Sequence, residues 1–337
     1  MYNLITVCGV FLLCFGLGEV GARVLGKKPW SNSPRAGKLA VFEVEPGGTI
    51  YSPHPTLGFA LLPGKFTVKQ SKVTWHVTNL TSTHRVTRPE GSPSPEGKPG
   101  VWVFGDSYTY GWAVDDENTY SWKLQEQHPE LHVTNFGVGG FSTLQSMIEL
   151  EDALAEVDAG KLAAPRVVTL GYASFHDGRS AMLRQNRKSW IPYVSQYPKF
   201  PRAWLTDGKL NHALEPLEYD PWPFQQTSAL VNVIEEGYNK FTVLSSGAKS
   251  IAMAILTRFF ELCQKRNITF VLAGINMDGR TAATLQWAAE KGMVTIDMSL
   301  DHTKPENVVP GDGHPSPKVH AHYAETLGGV ITKALTR

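Results

Sequence analysis

Residues 101–111 read VWVFGDSYTYG, an apolar run that ends in Gly105 and continues into a polar turn. A short apolar run bounded by turn residues is typical of a buried β-strand. Gly105 permits a tight turn, and Ser107 then follows the carboxyl end of the strand. The stretch therefore predicts a strand–turn–helix unit that exposes a serine hydroxyl, although a serine in this position can also serve only as a helix cap.

Four more apolar runs follow and alternate with stretches of helical periodicity. The runs are HVTNFG (132–137), RVVTLGY (166–172), ITFVLAGI (268–275) and MVTIDM (293–298), and the helical stretches cover about 118–128, 142–159, 246–266, 280–291 and 317–335. Buried strands that alternate with helices indicate a parallel sheet covered on both faces. We therefore predict a three-layer α/β fold with a parallel five-stranded sheet, whose ligand crevice lies beyond the carboxyl ends of the strands.

The N-terminus carries a separate signal. Leu4 to Gly18 contains no charged residue, and the apolar character continues past Glu19. About 20 apolar residues can span a bilayer as a helix. A cleaved signal peptide is the alternative, although no Lys or Arg precedes the stretch. We expect residues 1–23 to be a membrane anchor or signal segment.

The rest of the chain divides into an arm and a large domain. Residues 24–100 start with a Pro- and Gly-rich stretch and then alternate β-branched runs with turns, which predicts a linker and a small β-rich arm. Residues 101–337 hold the predicted α/β domain. Within it, about 178–244 is rich in aromatic residues and breaks the alternation. A connection this long is either a lid or substrate-binding insertion or a packed structural insertion.

Composition argues against several classes of function. The 337 residues include 32 Lys and Arg against 31 Asp and Glu, for a net charge of +1. This balance gives no electrostatic basis for binding nucleic acid. Cys263 is the one cysteine beyond the N-terminal apolar stretch, which excludes a disulfide framework in the globular part. No Cys/His cluster has metal-ligand spacing, so we expect no metal, and from the balanced charge we expect no nucleic-acid partner.

A second chemical signal is GDGHPSPKVH, residues 311–320, just before the last helical stretch. Asp312 and His314 stand two apart in a segment that prolines should hold extended, so their side chains should project the same way. An imidazole can take a serine proton and return it to a leaving group, while a carboxylate orients the ring. A lone histidine is more often structural, so this interpretation depends on the serine turn. We expect His320, inside the predicted helix, to be solvated.

The third signal is NFGVGGFSTLQ, residues 135–145, after the second apolar run. Gly139 and Gly140 should leave backbone N–H groups unshielded at the crevice. Such groups can stabilise a developing oxyanion, although a glycine pair after a strand is also a common turn.

These three segments, in this order, resemble the SGNH hydrolase family, also called GDSL-type esterases and lipases. HPTLGFALLPG (54–64) and GDSYTYGWAVDDENTY (105–120) further resemble long-arm, membrane-anchored bacterial members. The resemblance covers roughly residues 51–335. It implies a flavodoxin-like sheet and an active site that needs no cofactor.

The resemblance also implies roles for individual residues. Ser107 matches the nucleophile, and its N–H and that of Gly140 match two oxyanion donors. Asp312 and His314 match the last block, where many members have two intervening residues rather than one. Asp106 matches an acidic residue with a structural role.

One block departs from the family pattern. The stretch GYASFHDGR, residues 171–179, has His176 where the family usually offers an asparagine that completes the oxyanion hole. A neutral imidazole can donate one N–H, so His176 could replace the asparagine. Alternatively His176 is structural, and Ser174 or a backbone group donates instead.

Three functions are compatible with this pattern. The first is a serine-dependent hydrolase that acts through an acyl-serine on O-acyl groups of carbohydrates or on small esters. The second is an O-acyltransferase that modifies a cell-surface glycan with the same residues. The third is a non-catalytic SGNH-like domain that binds a glycan. The basic residues at 23–28 favour a cytoplasmic orientation, but the uncharged segment before the apolar stretch weakens that rule. Because glycan substrates favour the exported side of a bacterial cytoplasmic membrane, we expect a membrane-anchored or secreted protein that faces this side.

Overall fold

The computed structural model describes residues 2–31, 42–70, 72–93, 95, 97–191 and 199–336. The chain opens with the helix α1 (Tyr2–Val24), and an arm of short strands follows. These strands are β1 (Glu43–Glu45), β2 (Tyr51–His54), β3 (Gly58–Leu61), β4 (Gly64–Gln70) and β5 (Val73–Asn79). They pair antiparallel, in a sheet of order β1-β4-β5 and a β2–β3 hairpin. The predicted N-terminal helix and β-rich arm are confirmed, while residues 32–41 of the predicted linker lie outside the described residues.

Beyond the arm, strands and helices alternate. The strands are β6 (Gly100–Phe104), β7 (His132–Asn135), β8 (Pro165–Tyr172), β9 (Lys199–Thr206), β10 (Lys209–Pro216), β11 (Thr269–Gly274) and β12 (Val294–Asp297). The helices are α2 (Ser107–Tyr110), α3 (Tyr120–Gln127), α4 (Thr143–Asp158), α5 (Phe175–Ser180), α6 (Arg184–Trp190), α7 (Ala229–Ser245), α8 (Ala248–Gln264), α9 (Gly279–Glu290) and α10 (Pro317–Leu335). Each predicted apolar run forms a strand, and each predicted helical stretch contains a helix.

The five apolar strands form one parallel sheet in the order β7-β6-β8-β11-β12. This is the flavodoxin-like order, in which the first strand lies between the second and the third. Helices α3 and α10 cover one face of the sheet, and α4 and α8 cover the other. The predicted three-layer fold is therefore confirmed. The order of strands changes direction between β6 and β8, and the crevice of such a sheet lies at that point.

His320 is buried rather than solvated, so that expectation is wrong. Its side chain has no exposed surface, and Nδ1 accepts a hydrogen bond from the Tyr120 N–H at 3.2 Å. The ring packs against those of Tyr120 and Tyr323. Its position, three residues before Tyr323 and seven before Leu327, puts it on the face of α10 that packs against the sheet.

The described part of the aromatic-rich insertion comprises α6, the β9–β10 hairpin and α7. Its β9 strand packs against the body. Phe200 in β9 packs against Phe59 of the arm and Trp190 of α6. Residues 192–198, which include the predicted aromatic residues Tyr193 and Tyr197, lie outside the described residues.

Arg85 joins the arm to the α/β domain. It is fully buried, and its guanidinium donates to the carbonyl oxygens of Tyr110, Gly111 and Val114. Its Nε lies 2.9 Å from the carboxylate of Asp116. Because these acceptors belong to the segment just after the serine turn, one side chain fixes the arm against that turn.

Replacing Arg85 by Met should lower the free energy of unfolding by about 3–5 kcal/mol, since the carboxylate and the carbonyls would stay buried without their donor. Urea denaturation of the full chain measures this change. The exposed Lys72→Met variant is the matched control and should change stability by less than about 0.5 kcal/mol. Equal stabilities of the two variants would contradict the assignment.

Candidate active site

Ser107 begins α2 at the carboxyl end of β6, as the sequence predicts. Asp106 precedes it, is fully buried, and accepts a hydrogen bond from the Tyr108 N–H at 2.9 Å. Gly105 has φ of +154°, and a Cβ there would lie 2.9 Å from the Cβ of Thr109. The turn therefore needs glycine at this position, and it leaves the Ser107 hydroxyl partly exposed in the crevice.

His314 reaches Ser107 from the loop before α10. Its Nε2 lies 3.0 Å from the Ser107 Oγ, and its Nδ1 lies 2.6 Å from an Asp312 carboxylate oxygen. The His314 backbone N–H donates to the same oxygen at 3.1 Å. A tight turn holds the loop, since Val309 donates to the His314 carbonyl and accepts from Gly313. The structure thus brings Ser107, His314 and Asp312 into one hydrogen-bonded chain with a single residue between Asp and His.

The ionised carboxylate of Asp312 determines which ring nitrogen of His314 carries the proton. Burial alone would raise the pKa of Asp312, but the hydrogen bond and charge of His314, together with the Trp112 indole, lower it below its usual value. The carboxylate is therefore ionised near neutral pH and accepts the Nδ1–H of His314. This tautomer leaves a lone pair on Nε2 that can accept the Ser107 proton.

Gly140 lies in the loop that follows β7. It has φ of +91°, and a Cβ added there would collide with the ring of Trp190. In the described part of the chain, neither the Ser107 N–H nor the Gly140 N–H donates a hydrogen bond to a protein atom. Both groups are therefore available to an acceptor in the crevice.

The ring of His176 faces Asp106 and not the crevice, where an oxyanion donor would have to lie. Its Nε2 lies 3.1 Å from an Asp106 carboxylate oxygen, and its Nδ1 accepts from the Ala173 N–H at 3.4 Å. The ring is 1% exposed. With both nitrogens engaged in this way, the ring has no N–H left for an oxyanion. The other residue considered, Ser174, directs its hydroxyl to Asp278 at 3.1 Å.

Asp106 is the centre of a buried polar network. The His176 ring and the Arg179 guanidinium, 3.5 Å away, both face its carboxylate. Burial would raise the pKa of Asp106, but His176, Arg179 and the Tyr108 N–H outweigh burial and lower it. Burial lowers the pKa of His176, so a neutral imidazole donates to an ionised carboxylate. The network fixes the turn that carries Ser107.

Asn135, at the end of β7, is a site residue to which the sequence reasoning gave no role. Its Nδ2 donates to the Thr109 carbonyl at 3.0 Å and to Ser121 Oγ at 2.8 Å, and its Oδ1 accepts from the Gly137 N–H at 2.8 Å. It therefore ties the serine helix to the glycine loop. Its position at the carboxyl end of a predicted strand is the sequence feature that indicates a place at the crevice.

The arm also contributes to the site. The Tyr51 hydroxyl donates to the Gly139 carbonyl at 3.3 Å. The Trp112 ring lies 6.2 Å from the His314 ring, and its indole N–H donates to Gln70 of β4 at 3.1 Å. Side chains from the arm thus support the Gly139 loop and Trp112, the neighbour of His314. Within the ranges given above, no three His, Cys, Asp or Glu side chains gather in a way that could hold a metal ion.

No family model matches the chain, and no curated protein matches it in sequence. The chain is similar to solved structures of G-D-S-L lipolytic proteins and SGNH esterases. A lipolytic protein of the G-D-S-L family from Veillonella parvula DSM 2008 has 14% identity and a TM-score of 0.40, over 69% of this chain and 98% of that one.

Two esterases are similar to the same degree. The SGNH-hydrolase family esterase AlinE4 has 14% identity and a TM-score of 0.37, over 72% of this chain and 99% of its own. A two-domain esterase active on acetylated mannans, co-crystallised with mannopentaose, has 13% identity and a TM-score of 0.36, over 71% of this chain and 50% of its own. At these TM-scores, the functional proposal below rests on the geometry of the site.

Replacing His176 by Ala should lower the free energy of unfolding by about 1–3 kcal/mol, because Asp106 would lose a buried donor. His176→Gln, whose amide can donate from a similar position, should recover most of this loss. Chemical denaturation of the three proteins measures it. A variant of unchanged stability whose kcat falls about 100- to 1000-fold would instead indicate an oxyanion donor.

Proposed function

We propose that this protein is a serine-dependent acyl ester hydrolase of the SGNH type that works through an acyl-serine intermediate. The observation that supports it most directly is the hydrogen-bonded chain of Asp312, His314 and Ser107, with distances of 2.6 and 3.0 Å. A nucleophile within reach of a base that a third group orients is the arrangement that activates a serine hydroxyl.

In the first half of the proposed reaction, His314 Nε2 takes the Ser107 proton while Ser107 Oγ bonds to the ester carbonyl carbon. The carbonyl oxygen becomes an oxyanion and accepts hydrogen bonds from the N–H groups of Ser107 and Gly140. His314 then protonates the leaving alcohol as the carbon–oxygen bond breaks. Asp312 stabilises the imidazolium and keeps its ring in place.

In the second half, a water molecule gives a proton to His314 and attacks the acyl carbon. The bond to Ser107 Oγ breaks, His314 returns the proton to the serine, and the carboxylic acid leaves. The His314 side chain is 26% exposed, so water can reach the base. This exposure is compatible with hydrolysis, and the motif resemblance supports O-acylated carbohydrates or small esters as substrates.

We further propose that α1 is a retained membrane anchor. Its window Ile5–Val24 has a mean hydropathy of 2.0. Its last turns contact the folded body, where the Glu19 carboxylate accepts from Ser228 Oγ at 2.7 Å and from the Leu230 N–H at 2.9 Å. A segment that is removed during export has no need of such contacts. We also propose that residues 101–337 face the exported side, which glycan substrates favour, and protease accessibility in intact cells tests this orientation.

Ser107→Ala should abolish covalent labelling by a fluorophosphonate probe and lower kcat by about four to six orders of magnitude, because the nucleophile is lost. Ser189→Ala, an exposed serine on α6, is the control and should label like the wild type. The substrate panel is a series of short-chain nitrophenyl esters and an acetylated oligosaccharide. No labelling of the wild type would favour a binding domain, and acyl transfer to an oligosaccharide that exceeds release of free acid would favour the transferase.

Asp312→Asn should lower kcat by about 10⁴-fold while leaving Ser107 in place, because an amide cannot both accept the Nδ1–H and stabilise the imidazolium. Asp301→Asn, in the preceding loop, should retain activity. Steady-state rates on the best ester of the panel measure both. An Asp312→Asn enzyme within about tenfold of wild type would show that another group orients His314.

A further inference from the structure

Helix α7 turns its polar face toward the protein and its apolar face outward, which is the reverse of the usual arrangement. Its inward face holds Asn232, Glu235 and Asn239, which are 3%, 0% and 3% exposed. Its outward face holds Ile234, Tyr238 and Phe241, which are 52%, 48% and 67% exposed. A helix on a water-soluble body normally turns its apolar stripe to the core. The outward stripe therefore needs an apolar environment from outside the folded body.

The inward polar face is held by a cluster of ion pairs and hydrogen bonds around Glu235, which opposes a rotation of α7 that would bury the stripe. The Glu235 carboxylate accepts from Arg184 Nε at 3.0 Å and from Lys188 Nζ at 2.5 Å, both on α6. Tyr219 and Asn239 donate to the same carboxylate. Rotation of α7 would break this buried ion cluster, and the loss of a partner from such a cluster is strongly destabilising.

The stripe begins at the proposed membrane anchor. Leu230 stands four residues before Ile234 and so lies on the same side of α7. It packs against Gly18 of α1, where an added Cβ would lie 2.8 Å from the Leu230 side chain. Toward its N-terminus α1 is exposed, with Phe11 and Leu12 at 68% and 69%. The apolar surface thus continues from α1 onto α7, and Phe224, 74% exposed, lies in the turn before α7.

The next helix keeps α7 at the surface of the body. α7 and α8 meet at a bend of 46°. α8 belongs to the core, where Ile255 and Phe259 are fully buried, so it cannot follow α7 into a bilayer. On the flank of α7, Lys240 is exposed to water. A helix with an apolar side, a charged flank and fixed ends is of the kind that lies in the plane of a membrane interface.

We propose that the outward stripe of α7 (Leu230, Ile234, Tyr238 and Phe241) lies on the lipid bilayer beside α1. The stripe contacts the interfacial layer of the same membrane in which α1 is inserted. The proposal rests on α1 as the anchor and is independent of the chemistry at Ser107. In this arrangement α1 and α7 are two membrane contacts that together determine the orientation of the catalytic domain relative to the bilayer.

The test uses the full chain in phosphatidylcholine–phosphatidylglycerol vesicles with a polarity-sensitive fluorophore on single cysteines. Cys8→Ser and Cys14→Ser provide the background, since Cys263 is buried and stays unlabelled. Tyr238→Cys and Phe241→Cys report the stripe, and Lys240→Cys is the matched control on the same helix. A protein that keeps Cys14 alone reports α1. Quenchers are nitroxide-labelled lipid and aqueous iodide.

Labels at 238 and 241 should emit at shorter wavelength than the label at 240 and lose most of their emission to the nitroxide lipid, while the label at 240 is quenched by iodide. Quenching at 238 and 241 by iodide alone would overturn the proposal. Shielding from both quenchers that grows with the protein-to-lipid ratio would assign the stripe to a second copy of the chain and also overturn it. A Cys14 label that iodide quenches would show that α1 is not inserted in the bilayer. That result would overturn the proposed anchor and, with it, the proposal for α7.

Discussion

The hydrogen bond between His314 and Ser107 joins residues 207 positions apart, and the order of the strands makes it possible. Ser107 follows β6, which lies between β7 and β8 in the sheet. The loops after β6 and β8 run in opposite directions from the sheet and leave a crevice between them. The loop before α10 reaches into this crevice with His314. The chemistry of the site thus depends on a property of the whole sheet, and no local feature of the serine turn could supply the base.

Two buried carboxylates hold this geometry in different ways. Asp312 accepts from the ring and the backbone of His314 and so determines which nitrogen faces the serine. Asp106 accepts from the Tyr108 N–H and from His176, and so determines where the serine itself stands. Burial of either charge is costly, and several N–H donors around each one offset that cost. One buried carboxylate therefore orients His314, the proposed base, and the other fixes the turn that carries Ser107, the proposed nucleophile.

Much of the fold could be predicted from the sequence because its strands are continuous apolar runs that end in glycine or polar residues. The approach of Ser107, His314 and Asp312 was predictable for the same reason, since their segments follow or precede elements of the parallel sheet. His176 was harder to predict. An imidazole can face the crevice or the buried Asp106, and only the path of α5 decides between the two. The prediction for His320 was wrong because this residue lies on the same face of α10 as the buried residues Tyr323 and Leu327.

The contacts of the arm and of α7 lay beyond sequence reasoning for a different reason. Tyr51 and Gln70 reach the site through antiparallel pairing of short strands whose positions relative to the large domain no periodicity encodes. In α7 the apolar period is clear, but period alone does not say which side of a helix faces the protein. The charges on α6 decide this, because Arg184 and Lys188 require a buried carboxylate opposite them.

The same ion cluster connects α1 to the loop that contains Gly140. α1 is held to the start of α7 through Glu19, and α7 is held to α6 through Glu235. α6 ends at Trp190, whose ring occupies the space that a side chain at Gly140 would need. Glycine at 140 thus serves two purposes, since it permits the left-handed turn that exposes an N–H and also admits the indole that supports the loop. A continuous series of contacts thus runs from α1 through α7 and α6 to the loop that holds the Gly140 N–H, the proposed oxyanion donor.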